Sequence, residues 1–443
     1  MAFVYKPQEN QTFRFTYNRA FSSPTSNNVN LDILQIGDAF GFNSQLSVLF
    51  GGYDLATDVR VYGNRNGYTY NYGLNGLPQF RSPFAGAPGV DNGNKQTFYN
   101  YNDTTFNKSA WTVGYLGLAQ SDALPNNVKA ILNGVVPLGA LNGSGTNISH
   151  MIKSVNLTTG AFDGPVLDPT KIKDLGRLIN SPTQTLEIGW NGIIKQKLLA
   201  SVDVYAQRIT DFVSPLTVIT PNVFLDPASV AAFLQPIIAQ NLTNLSGNDI
   251  ATLNTQFSAT NNTELANNIA NFYGNVAAQV PFGTISPNEA RENEVILTYG
   301  NFGTVNMWGA DLGLTLFLSE NARIGVTYSF VNKDEFESEG FMIALNAPRH
   351  KFNINGGYKF AKAGVDIGAR LRWQDAFPVN SGVYVGNVGA FWTLDANAQY
   401  SFWFEKNFKV GVTATNLINY KRAEFVGTPQ MGRLVMGRLS YTF

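Results

Sequence analysis

The chain has 443 residues with 31 basic and 31 acidic side chains, so it has neither the basic surplus of a nucleic-acid binder nor the acidic tail of a disordered segment. Charged residues are only 14%, against roughly 25% in a soluble domain, while aromatics reach 13%. There is no cysteine, which excludes a disulfide framework and a thiolate metal site. No apolar run is long enough for a membrane-spanning helix.

The opening residues, Met1 to Pro7, carry no charged segment followed by an apolar one, so the reading finds no signal peptide and expects a fragment whose N-terminal part lies elsewhere. A short strand at Ala2 to Lys6 comes first. After it, a two-residue rhythm of apolar and polar side chains recurs. Thr12 to Phe21 sets Phe13, Phe15 and Tyr17 against Arg14, Thr16 and Asn18. Thr185 to Asn191 opposes Leu186, Ile188 and Trp190 to Glu187 and Asn191. Ala200, Val202, Val204 and Ala206 alternate with Ser201, Asp203, Tyr205 and Gln207. Trp308 to Leu318 carries Ala310, Leu312, Leu314 and Leu316 against Asp311, Gly313 and Thr315.

The pattern then becomes denser. Ile324 to Phe330, Phe352 to Phe360, Val365 to Gln374, Leu394 to Phe402 and Phe408 to Thr415 all alternate. The closing stretch puts Val435, Gly437, Leu439, Tyr441 and Phe443 on one face and Leu434, Met436, Arg438, Ser440 and Thr442 on the other. Ending on the aromatic Phe443 suits a barrel strand that inserts into a membrane. The total is about eleven strands, near the length that spans a bilayer when tilted.

The connections alternate in length. Pro7 to Asn10, Ile194 to Gln196, Ser319 to Asn321, Ala361 to Lys362 and Glu405 to Asn407 are short. Ser22 to Pro182, Thr210 to Glu294, Asn332 to Pro348, Asp375 to Gly389 and Ile418 to Met431 are long. A sandwich has no reason to sort its loops in this way, whereas a barrel with one periplasmic and one external rim does. The expected fold is therefore all-β, a partial antiparallel transmembrane β-barrel with long, partly helical extracellular loops. Its organisation is a barrel hairpin over 1–21, a loop insertion over 22–182, a second hairpin over 183–209, a partly helical loop over 210–295, and barrel strands over 296–443. Pro227 to Tyr273 looks helical, with Val230, Phe233, Leu234, Ile237 and Ile238 and later Leu253, Leu265 and Ile269 at helical spacing. An odd strand number leaves two unpaired edges, so an open, curved sheet is expected rather than a closed pore.

Catalytic motifs are absent from the sequence, which holds only two histidines, His150 and His350. Gly143-Ser-Gly145 follows no strand and has no weight as a dinucleotide loop. Asp91-Asn-Gly-Asn94 reads as a turn rather than a cation loop. The reading is therefore of a non-enzyme without cofactor. Arg14, Arg19, Glu187, Asp203, Asp311, Arg370, Arg372, Asp395 and Arg438 are expected to face a wet lumen, because a charge at mid-depth on the lipid face is costly. There they would bridge one another or meet a plug or a solute.

Two segments carry a family resemblance. Ala2 to Thr25, with Arg14-Phe-Thr-Tyr-Asn-Arg-Ala-Phe21, resembles a hairpin of TonB-dependent outer-membrane receptors. Thr415-Asn-Leu-Ile-Asn419, Glu424-Phe-Val-Gly427 and Gly432-Arg-Leu434 through the final Tyr441-Thr-Phe443 resemble their C-terminus, in the Bacteroidetes style. The resemblance implies a cell outer-membrane location and a barrel of about 22 strands around an N-terminal plug. It also implies active uptake of a scarce solute, of the siderophore, vitamin or glycan class, driven by the periplasmic TonB protein. This chain departs from the pattern in lacking a plug and a coupling segment and in having half the strands, so it resembles the C-terminal half. The partners implied are membrane lipid, the missing N-terminal half, TonB through that half, and a small solute; nucleic acid is not among them. The alternative reading is a structural or adhesive outer-membrane protein that displays its loops.

Overall fold

The computed structural model describes residues 1–443 apart from 142–147, 157–159, 163, 339–340, 382–383 and 406. Gly143-Ser-Gly145 and the middle residue of the Glu405–Asn407 connection lie outside the described residues. The chain divides into two compact units: Met1–Pro24 with Ile179–Leu216 and Gly300–Phe443, and Thr25–Leu178 with Thr217–Tyr299.

The first unit is one antiparallel sheet of eleven strands. They are β1 (Ala2–Gln8), β2 (Gln11–Ser22), β3 (Ser181–Ile194), β4 (Leu198–Val213), β5 (Asn301–Ser319), β6 (Ala322–Val331), β7 (His350–Phe360), β8 (Val365–Gln374), β9 (Phe391–Ser401), β10 (Phe408–Thr415) and β11 (Leu434–Tyr441). Each pairs with its neighbour in chain order. The alternating sequences make this possible, because a strand with one apolar and one polar side has a single register that keeps both faces uniform. β5 begins earlier than its alternation suggests, because Asn301 to Met307 is held by Val213 to Gln207 of β4.

Short connections follow β1, β3, β5, β7 and β9, and the long ones follow the even-numbered strands. Lys195 and Gln196 both have positive φ, 49° and 55°, the backbone that a tight hairpin needs to match strand twist. Two of the long connections carry small hairpins of their own, Glu335–Ser338 with Phe341–Ala344 and Phe377–Ser381 with Tyr384–Val388. Among the described residues β1 and β11 pair on one side only, so the sheet is open as expected. With strict alternation the first and eleventh strands run in the same direction. An antiparallel closure therefore requires an odd number of further strands between them.

The second unit has a hydrophobic core of its own. A five-stranded sheet orders Tyr99–Asn100, Gln79–Arg81, Gly283–Ile285, Asn222–Leu225 and His150–Lys153. A four-stranded sheet orders Thr217–Val218, Glu294–Thr298, Asp58–Tyr62 and Asp32–Gln35. The longer helices are α1 (Asn107–Gln120), α2 (Asn126–Val135), α3 (Pro227–Leu242), α4 (Gly247–Phe257) and α5 (Asn262–Ala277). The last three start on side-chain caps. Asp226, Ser246 and Asn261 accept from the backbone N–H of Ser229, Asp249 and Glu264. Pro227 in the first turn of α3 gives up no needed donor. Trp111, Phe80, Phe106, Phe282, Leu234 and Ile269 are fully buried together.

Leu234 lies in the middle of α3 with no exposed surface. Leu234→Ala is expected to lower the unfolding free energy of this unit by about 2–5 kcal/mol, read as a lower denaturant midpoint in chemical unfolding of the whole chain.

Candidate functional site

Directly opposed residues in a sheet share a face, so the register sorts the charged side chains. Arg14 stands opposite Gly189, Gly189 opposite Asp203, Asp203 opposite Asp311 and Asp311 opposite Ser329. Glu187 lies in the adjoining row, opposite Thr16 and Tyr205. The Arg14 guanidinium bridges two carboxylates, donating from Nη2 to Glu187 Oε1 and, at 3.1 Å, to Asp203 Oδ1. Gly189 makes this approach possible, since a Cβ there would collide with Asp203 Oδ1. Asp203 and Asp311 are like charges set face to face, an arrangement that repels unless a cation offsets it. The patch holds one arginine against three carboxylates and is acidic.

A second charged group occupies the same face on later strands. Arg370 is opposite both Asn355 and Asp395. Arg372 Nη2 donates to Asp395 Oδ2 at 2.8 Å, and the Asn416 backbone N–H donates to Asp395 Oδ1 at 3.0 Å. A concavity of about 700 Å³ is lined there by Arg323, Asn355, Lys359, Asp366, Arg370 and Asp395 among others. Arg438 shares the face opposite Gly411 but lies apart from both groups. Among the described residues no cluster of three or more His, Asp or Glu side chains is placed to hold a metal ion. This face can hold hydrated or charged matter through side chains of both signs.

Arg19 departs from the expectation. It is opposite Gln184, on the face of Phe13, Phe15, Tyr17 and Phe21 and not that of Arg14. The physical reason is parity, because Arg14 and Arg19 are an odd number of residues apart on an unbroken strand and so point to opposite sides. Arg19 stands near the long-connection end of β2, at the edge of the apolar face, and is exposed. Asp91, read as a turn residue, accepts from the Gly86 backbone N–H and the Tyr99 hydroxyl, so both its oxygens have internal donors.

The second unit buries its own polar groups. Arg60 donates to both oxygens of Asp32 at 2.8 and 2.9 Å, and Glu294 is 3.9 Å away. The Arg60 hydrogen bond holds the Asp32 carboxyl below its usual range, and burial pushes Glu294 up. His150 lies between the Tyr101 carbonyl, 2.6 Å from Nδ1, and the Asn107 side chain, 2.8 Å from Nε2. A carbonyl only accepts, so Nδ1 carries the proton. Burial depresses the His150 pKa and favours the neutral ring, whose Nε2 then accepts. That calls for the Asn107 amide turned with Nδ2 toward the ring, which also gives a partner to a nitrogen otherwise buried alone. Sequence reasoning gave no role to His150 or Asn107, because they meet only when the first residue of α1 packs against a strand 43 positions later.

Two outcomes follow from these geometries. Arg14→Gln should lower folding stability on the order of 1 kcal/mol, since both ion pairs are partly exposed; the double change with Asp203→Asn should cost less than the sum of the two. The test is a double-mutant cycle in denaturant. His150 has a folded pKa below its unfolded value of about 6.5, so its contribution is complete above that pH and is lost as pH falls through it toward the folded value. The midpoint of the second unit should drop on acidification below about pH 6.5, and His150→Asn should flatten that part of the profile.

A family model described as the β-barrel of TonB dependent receptor-like proteins matches residues 182–417, more than half of the chain. No curated protein sequence matches. Among solved structures, a mutant ferric enterobactin receptor from Pseudomonas aeruginosa shares 10% identity at TM-score 0.44, over 100% of this chain and 39% of its own. A siderophore receptor from Acinetobacter baumannii shares 10% at TM-score 0.43, over 99% and 40%. An iron transporter from Neisseria meningitidis shares 13% at TM-score 0.34, over 60% and 32%. This chain thus spans about two fifths of the first two receptors' length. On the match from β3 into the residues after β10, the chain belongs to the TonB-dependent receptor family, through the β-barrel.

Proposed function

We propose that the eleven-stranded sheet is part of the wall of a barrel in the cell outer membrane, serving active uptake of a scarce solute of the siderophore, vitamin or glycan class. One observation carries this reading. The apolar face is a continuous band of exposed side chains, with Phe15 at 40%, Val204 at 46%, Trp308 at 48% and Leu439 at 72% exposure. On β5 the band runs from Trp308 to Leu318, about 34 Å along the strand at 3.4 Å per residue. A tilt of about 40° reduces this to roughly 26 Å, the height of a barrel's apolar belt. Aromatic groups stand at both limits: Trp308 with Phe330, and Trp373 with Trp392, at one; Tyr358 with Phe360, Tyr400 with Phe402, and Tyr441 with Phe443, at the other.

In this reading the short connections face the periplasm, and the insertions over 22–182 and 210–295 face outward. The polar face, with Arg14, Glu187, Asp203, Asp311, Arg370, Arg372, Asp395 and Arg438, lines the lumen and meets a plug or the solute. The plug, and with it the coupling to TonB, would come from polypeptide beyond these strands. A second reading, loop display for adhesion, draws support from the separate hydrophobic core of the inserted unit.

Membrane contact is testable by reconstituting the whole chain in vesicles containing brominated lipid. Trp308 and Trp392 should be quenched and Trp111, buried in the second unit, should not; unquenched Trp308 and Trp392 would refute the lipid-facing assignment. Uptake is testable by comparing cells with and without the gene for labelled ferric siderophore, cobalamin and oligosaccharide. Loss of uptake for one of them, with sensitivity to collapse of the proton gradient, is the expected result. Unchanged uptake with lost surface adhesion would favour display.

A further inference from the structure

The apolar face bears a cationic rim at the end from which the long connections leave. Arg19, Gln184, Arg208 and Asn306 form one register row across β2 to β5, and all four are exposed. The next row inward is Tyr17, Leu186, Ala206 and Trp308, and Val204 and Ala310 follow it. The two arginines therefore stand one row outside the aromatic limit of the apolar band. Lys333 joins them. It follows Asn332, which is fixed to Trp308 by reciprocal bonds, Trp308 N–H to Asn332 Oδ1 at 2.8 Å and Asn332 N–H to the Trp308 carbonyl at 2.9 Å. Tyr17, Leu186, Arg208, Asn306, Trp308 and Lys333 line a cavity of about 540 Å³.

The signs of the charges matter. Among the described residues none of Arg19, Arg208 and Lys333 is in an ion pair. Asp211 and Asp334, near Arg208 and Lys333 in sequence, form no ion pair with them. On strands β2 to β11 the apolar face carries Arg19 and Arg208 and no carboxylate, whereas the polar face carries Glu187, Asp203, Asp311, Asp366 and Asp395. Parity also separates these cations from anything in the lumen.

We infer that this rim binds the phosphate of a net-anionic lipid headgroup in the adjoining leaflet, in preference to a zwitterionic headgroup whose own cation already offsets its phosphate. The inference rests on the reading that the apolar face meets hydrocarbon. Planar guanidinium groups take phosphate oxygens in pairs, and the Arg stems lie along apolar surface while their heads reach outward. Arg19 and Arg208 start roughly 10 Å apart, across one intervening strand, which lets their long side chains converge on one phosphate. Gln184 and Asn306 add amide donors in the same row, and Tyr17 and Trp308 supply an apolar seat for the acyl end.

The test uses the whole chain in nanodiscs of phosphatidylcholine, alone or mixed with phosphatidylglycerol, with retained lipid measured by native mass spectrometry. Phosphatidylglycerol should be enriched, and the Arg19→Gln, Arg208→Gln double variant should lose about tenfold in that enrichment. The pair Arg19→Lys, Arg208→Lys keeps the charge but loses the paired guanidinium hydrogen bonds, so it should fall between wild type and the glutamine variant, and Lys108→Gln in the second unit should change nothing. Equal retention by wild type and the glutamine variant overturns the proposal. So does full displacement of the lipid by inorganic phosphate, which would mark a plain anion site. Failure to enter the bilayer overturns the membrane reading itself, whereas entry without headgroup preference overturns this inference alone.

Discussion

Everything in the first unit depends on a two-residue side-chain period carried without slippage through ten strand pairings. A slip of one residue at any pairing would turn every later strand over, exposing lysines and arginines where the apolar band now runs. Register irregularities occur near Tyr5 to Gln8 and Phe317 to Ser319, both beside short connections, where the shift ends with the strand instead of propagating. Across the long middle of the sheet the pairing is uninterrupted. The Arg14 patch therefore assembles from β2, β3, β4 and β5 without any segment specifying it locally; each strand delivers its charge to the side its parity dictates.

The same constraint explains what could be read in advance. Strand existence and face are local properties, set by residues i and i+2, and in the first unit both are legible for most of the length of β2 to β11. So are the helical stretches beyond Pro227, because their apolar spacing lies in the sequence itself. Arg19 is the exception: its charge suggests the face of Arg14, but its parity sets it with Phe13, Phe15, Tyr17 and Phe21.

The second unit was far less legible. Its strands are two to five residues long, too short for a period to show. Asp58–Tyr62 pairs in parallel with Glu294–Thr298 from the other insertion, and His150–Lys153 pairs with Asn222–Leu225. Such contacts are set by tertiary packing rather than local propensity. α1 contains Gly114 and Gly117, poor helix formers that hide it from spacing rules, yet Trp111 on that helix is among the largest buried side chains. The room that Gly189 leaves for Asp203 belongs to the same class, because nothing near position 189 reveals what lies across the strand.

Charge follows solvent across the molecule, and the contrast between surfaces is the stronger for being within one sheet. The polar face tolerates unequal numbers of each sign. It is acidic around Glu187, Asp203 and Asp311, and cationic further along, where Arg323, Lys351, Lys359, Arg370, Arg372, Lys409 and Arg438 outnumber Asp366 and Asp395. Water screens such imbalance, so no close pairing is needed. In the buried part of the second unit the rule is stricter, and Arg60 is held by Asp32 with Glu294 nearby. The apolar face obeys a third rule: charge only at its rim, and only positive there. Screening by water cannot select a sign, and burial penalises both. On the inference drawn above, two cations with no carboxylate beside them in that row fit a surrounding of anionic headgroups, which neither hydrocarbon nor bulk solvent supplies.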